Sequence, residues 1–218
     1  MISASATLTI QPGVTVKLAD QASIIAEGAL KAQGTIDNFV KFTKKGFVPW
    51  GNIQLLGRGM LKYCLVEYSY PKSGVQASVI LGSNTAKVEN CLIKNNYEGI
   101  GIIGNPISPV IKNNTILNAR HGIIALGLSY PTVTNNIAVG NTDTGIEANN
   151  VSTVVTYNNS QGNANADFLI RGNASVPLTN LSINPQFADA ANGDYRLKST
   201  SPLLTAGEGG TQMGVYGP

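Results

Sequence analysis

Apolar residues along this chain come in short alternating bursts, not in helical stripes. Val14, Val16 and Leu18 alternate with Thr15 and Lys17, the period of a half-buried strand. Each burst stops after a few residues at Asn, Gly or Ser, and the bursts keep a common frame. Val88-Glu89-Asn90-Cys91, Ile111-Lys112-Asn113-Asn114, Val133-Thr134-Asn135-Asn136 and Val155-Thr156-Tyr157-Asn158 align, with lead positions 23, 22 and 22 residues apart. Leu61-Lys62-Tyr63-Cys64 fits the same frame 27 residues before Val88. A glycine followed by an apolar residue repeats independently at Gly74-Val75, Gly99-Ile100, Gly122-Ile123 and Gly145-Ile146, spaced 25, 23 and 23. Pro109 and Pro131 precede their lead positions by two residues, and Leu8 and Leu30 form a looser copy 22 apart.

A period near 22 is too short for two-helix repeats of about 33 residues or more, and the regular leucines of a leucine-rich repeat are absent. Three short strands per turn, with turns stacked about 4.8 Å apart, satisfy both the period and the alternation. The sequence therefore predicts a single all-β domain, a right-handed parallel β-helix. About eight coils are expected over residues 1–183, with a capping segment of the same domain over 184–218. In such a coil Asn113 stacks on Asn135, and Asn114 on Asn136 and Asn158. Asparagine tolerates the left-handed backbone of a bend, and its amide both donates and accepts along a ladder. Cys64 and Cys91 share that column. Rungs about 4.8 Å apart suit two buried thiols better than a disulfide, whose Cβ atoms want about 3.8 Å.

Composition narrows the function classes. Only 12% of residues are charged, the net charge is +3, and no basic cluster exceeds Lys44-Lys45, which argues against nucleic acid but leaves an acidic polymer open. No apolar run approaches the ~18 residues of a membrane span. The start, MISASATLTI, lacks the basic and apolar regions of a signal peptide, as in an intracellular protein or a mature or trimmed chain. One histidine is too few for a histidine-based zinc or copper site, and no metal or cofactor is expected.

The coil pattern, with "PVIKNN" and "HGI" as an example, resembles the bacterial right-handed parallel β-helix proteins of the pectin-lyase-like superfamily. "LTIQPGVTVKL", "VKFT" and "WGNIQL" are similar to the first coils of secreted members, and "NPQFADAANGDYRLKSTSPLLTAG" to their C-terminal tail. Thr205 and Gln212 stand where that tail often carries aspartate. The resemblance implies the fold and an extracellular or cell-surface setting. It implies no single activity, since such proteins include polysaccharide lyases, glycosidases, adhesins and non-catalytic surface proteins. Calcium would enter only if the chain were a lyase.

Candidate chemistry sits beside the repeated glycines. The second residue before each gives Lys72, Tyr97, Arg120 and Asp143, and the first gives Ser73, Glu98, His121 and Thr144. This frame places Glu98 beside His121 and Arg120 beside Asp143. Arg120 or His121 would accept a proton, Glu98 or Asp143 would orient it, and Lys72 would attract a uronate. Tyr68, Tyr70, Tyr97 and Tyr130 would offer stacking faces to a sugar. The same residues also read as cross-coil ion pairs on an exposed turn. Acids such as Asp20, Glu27, Asp37, Glu67, Asp189 and Asp194 fall in separate coils or the tail. That scatter favours a non-catalytic carbohydrate-binding or scaffold module over a uronate polysaccharide lyase. An assembly shaft is the third expectation, with an oligomer or longer parent chain joined through the N-terminal end.

Overall fold

The computed structural model describes residues 1–73, 76–149, 153–171 and 176–218; the Gly74-Val75 marker lies outside them. Three parallel seven-stranded sheets wind around one axis as a right-handed solenoid. The first sheet runs from Thr7–Ile10 to Val154–Thr156, the second from Thr15–Leu18 to Asn159–Gln161, and the third from Ile24–Ala26 to Ala166–Ile170. Each coil visits them in that order. Seven coils are complete, and Leu181, bridged to Asn159, begins an eighth, so the expected eight is one complete coil too many.

The frame read from sequence is the inward column of the first sheet. Leu61, Val88, Ile111, Val133 and Val155 stand in register and are buried. The third sheet stacks Ile53, Val79, Ile100, Ile123, Ile146 and Phe168 in the same way. Branched side chains suit this stacking because one rotamer repeats up a column with native packing density. The early coils are filled by Phe42 and Trp50, whose indole donates to the Glu67 carbonyl at 2.8 Å.

The first-to-second corner explains the asparagines. Tyr63, Asn90, Asn113, Asn135 and Tyr157 all have φ between 47° and 59°. The next residue turns inward: Asn136 Oδ1 accepts from the Asn114 backbone at 2.9 Å and Asn158 Oδ1 from the Asn136 backbone at 2.9 Å. Asn180 continues the ladder into the eighth turn at 2.9 Å. Asn113 and Asn135 instead face outward to the tail, through Pro218 and Thr211. Cys64 and Cys91 occupy the start of the inward column as buried free thiols, and burial pushes the Cys64 thiol well above its usual range.

Residues 184–218 lie mostly along the side of the solenoid, against the second sheet of earlier coils. Ile183 exchanges hydrogen bonds with Asn159 at the last coil. The chain then forms a hairpin of Phe187–Asp189 and Asp194–Leu197 and runs back along the outside of the second sheet. Tyr195 and Val215 pack on Leu92 and Leu117, while Leu203 and Met213 pack on Ile137. Gly214 donates to the Asn135 carbonyl at 2.8 Å and Val215 to the Thr115 hydroxyl at 3.0 Å, so the strap is bonded across several coils.

Candidate functional site

The second-to-third corner is the counterpart of the asparagine corner. Tyr68, Asn95, Asn118, Gly140 and Gly162 hold φ between 53° and 67° in five successive coils. Behind them runs a second ladder: Asn96 Oδ1 accepts from the Ser69 backbone at 2.8 Å, Asn141 from Ala119 at 3.1 Å and Asn163 from Asn141 at 3.0 Å. Each satisfies a backbone donor that the bend would otherwise orphan. Immediately after it the chain enters the third sheet at Gly99, Gly122 and Gly145. A Cβ on Gly99 would collide with the Gly122 carbonyl, and one on Gly122 with that of Gly145, which accounts for the glycine marker.

Charged side chains gather where these third-sheet strands begin. Arg120 lies 3.6 Å from both Glu98 and Asp143. His121 Nε2 is 3.4 Å from Asp143, and its Nδ1 is 3.8 Å from Glu147, leaving that buried nitrogen without a hydrogen bond among the described residues. Arg171 closes the far side with two contacts of 3.2 Å to Glu147 Oε1. Glu98, His121 and Glu147 are 10–12% exposed at the side chain, Asp143 27% and Arg120 47%. Burial raises the Glu98 carboxyl, and the neighbouring Glu147 charge adds to this, against the pull of His121 and Arg120. Asp143 behaves oppositely. Its slight burial works upward, but hydrogen bonds from Asn165 and Thr144 and the His121 and Arg120 charges hold it below its usual range.

Arg120, His121, Glu98 and Asp143 therefore come together, with partners partly different from those expected. The close contact of Glu98 is Arg120, and Asp143 serves both Arg120 and His121. Three residues separate Asn141 from Gly145, against two between Ala119 and Gly122. The extra residue places Asp143 next to His121, as the bond from the Asp143 N–H to the Arg120 carbonyl at 2.9 Å records. Glu147 and Arg171 were missed. Glu147 falls between inward Ile146 and Ala148, so alternation alone puts it on the outer face beside the glycine marker. Its presence corrects the expectation that the acids are scattered, which holds for the tail and early coils but not here. No group of three or more His, Cys, Asp or Glu side chains among the described residues is arranged to hold a metal ion.

Lys72 is not part of this cluster. The extra residues of the corner between Glu67 and Ala77 carry it outward to Asp20 at 4.0 Å. Tyr70 takes its place: the Tyr97 N–H donates to the Ser69 carbonyl at 2.9 Å, and the Tyr70 and Tyr97 rings lie 4.5 Å apart. These two rings, with Tyr68, Pro49, Lys44 and Arg120, line a hollow of about 410 Å³. The Lys44 ammonium sits 4.7 Å over the Tyr68 ring. Tyr130 is at the other end of the third sheet, bonded to the Ile107 carbonyl, and takes no part. A separate hollow of about 290 Å³ on the first sheet is lined by Lys31, Arg58 and Lys87.

This is a parallel β-solenoid with a cationic, tyrosine-lined groove at one corner and an acid–base cluster beside it. The family model for the right-handed beta helix region matches residues 53–196, and the chain belongs to that family. No curated protein matches the sequence.

Proposed function

We propose that this protein binds an acidic polysaccharide along the corner between its second and third sheets. The observation carrying this reading is the hollow in which Tyr68, Tyr70 and Tyr97 flank Lys44 and Arg120. Aromatic rings present flat apolar faces to the C–H side of a sugar, and cations pair with its carboxylates. A concave site lined by aromatic rings, amides and two cations suits a short segment of polymer. An extracellular or cell-surface location goes with such a ligand. Titration calorimetry against polygalacturonate and alginate oligosaccharides tests it. Tyr97→Ala and Arg120→Gln should each weaken binding about tenfold or more, a loss of at least about 1.4 kcal/mol. The Arg120 contribution should also shrink as salt is raised. Equal affinity in the wild type and both variants overturns the proposal.

One observation favours a second reading, polysaccharide cleavage. Glu98 and Asp143 flank Arg120 at equal distance, with their carboxyl groups pushed in opposite directions. Such divergence separates a proton donor from an ionised partner, and a neutral His121, 3.4 Å from Asp143, would serve as the proton acceptor. Assays following unsaturated-uronate absorbance and new reducing ends, with His121→Ala and Glu98→Gln as controls, decide between binding and cleavage. Turnover abolished in either variant supports cleavage. No turnover by the wild type across pectic, alginate and glycosaminoglycan polymers leaves binding alone.

A further inference from the structure

The tyrosine groove does not end at Arg120. Asn118 belongs both to its lining and to that of a second hollow of about 480 Å³ further along the same corner. The floor of the second hollow is the continuing file of left-handed residues, Asn118, Gly140 and Gly162. Its outer wall comes from the C-terminal tail, chiefly Phe187, Ala190 and Ala191. Gly140 and Gly162 leave their part of the floor free of side chains, where Tyr68 and Asn95 carry them in the earlier coils. The file from Tyr68 to Gly162 crosses four rungs, about 19 Å, or about four pyranose rings.

The two halves differ in charge. Lys44 and Arg120 line the first, whereas no charged residue among those described lines the second, which offers amides from Asn118, Gln161 and Asn184 against apolar surface from Val139, Pro185 and Phe187. We infer that the tail builds a distal, uncharged half of the binding groove, so that the ligand is a linear saccharide about four or more residues long. Its acidic group is held at Lys44 and Arg120. The sugars beyond need no charge and are read by amides and by the Phe187 face. The tail is thus a length- and specificity-determining wall as well as a cover for the second sheet.

This inference rests on the polysaccharide reading above, and the experiment separates the two. Affinities are measured for polygalacturonate oligosaccharides of two to eight residues against the wild type and Ala191→Trp. Ala191 is exposed on the wall, so the new indole fills the second hollow without entering the core. Wild-type affinity should climb at least about tenfold between two and five residues and then level off. Ala191→Trp should bind the dimer as the wild type does but lose the gain with length. Tyr97→Ala should instead weaken every length. A wild-type affinity already level at two residues, or a length gain that survives Ala191→Trp, overturns the distal half while leaving the first groove standing. Binding at no length overturns both.

Discussion

Asn136 shows how much one side chain does in this fold. It is fully buried, and its amide donates to the Ile111 and Thr134 carbonyls at 3.0 and 3.1 Å and to Asn158 at 3.0 Å, while its oxygen accepts from Asn114. Replacement by alanine strands several buried groups at once. Asn136→Ala should lower stability by about 2–4 kcal/mol in urea unfolding. Asn114 and Asn158 should behave similarly, whereas loss of exposed Asn192 should cost less than about 1 kcal/mol. Glu98 gives a prediction of different sign. Its carboxyl is raised in the folded state, so the unfolded chain ionises first and stability falls as pH rises from the ordinary glutamate range through the folded value. Glu98→Gln removes that loss. Its melting temperature relative to the wild type should therefore increase from pH 4 to pH 7; a difference that stays flat or shrinks contradicts the burial argument. At this scale the stacked asparagines were legible because a repeat places equal numbers above one another. Glu147 was legible through alternation alone. Arg171 was not, since it lies past the last frame that the repeat markers define.

The tail is the element that departs furthest from a simple end cap. Its landing site was written in the second-sheet strands Leu92–Lys94, Thr115–Leu117 and Ile137–Val139, which carry apolar residues on both faces. A strand solvated on one face alternates, whereas continuous apolar runs belong to strands covered on both. Leu203 is fully buried in that contact. Leu203→Ala should cost about 2–5 kcal/mol. Limited proteolysis should then cut first within 184–218, and unchanged protection would show that the tail is held by something other than this packing. The corner connections were less legible than the strands. Their lengths vary by a residue or more from coil to coil, and one such residue brings Asp143 up to His121 while it still pairs with Arg120, and the longer Glu67–Ala77 connection carries Lys72 away. The spacing of the glycines carries no record of where within a turn an extra residue is accommodated.

Across the whole molecule, charge is unevenly placed. Residues 1–66 carry seven Lys or Arg against three Asp or Glu, and the remainder eight against nine. The groove lies where these regions meet, with Lys44 from the basic coils and Arg120 from the balanced ones. A solenoid suits this division because each coil contacts mainly its neighbours, so a site can be assembled coil by coil along an axis without altering the core. Fold class followed from the repeat, since periodicity constrains every coil at once. Function was less accessible, because it depends on which exposed residues meet at corners of unequal length. The most direct test is a crystal structure of the protein soaked with hexagalacturonate. The sugar chain should lie along the second-to-third corner, stacked on Tyr70 and Tyr97, with a carboxylate at Arg120 and its far end against the tail. Sugar bound instead at Lys31, Arg58 and Lys87 on the first sheet, with the tyrosine corner empty, would contradict the proposal.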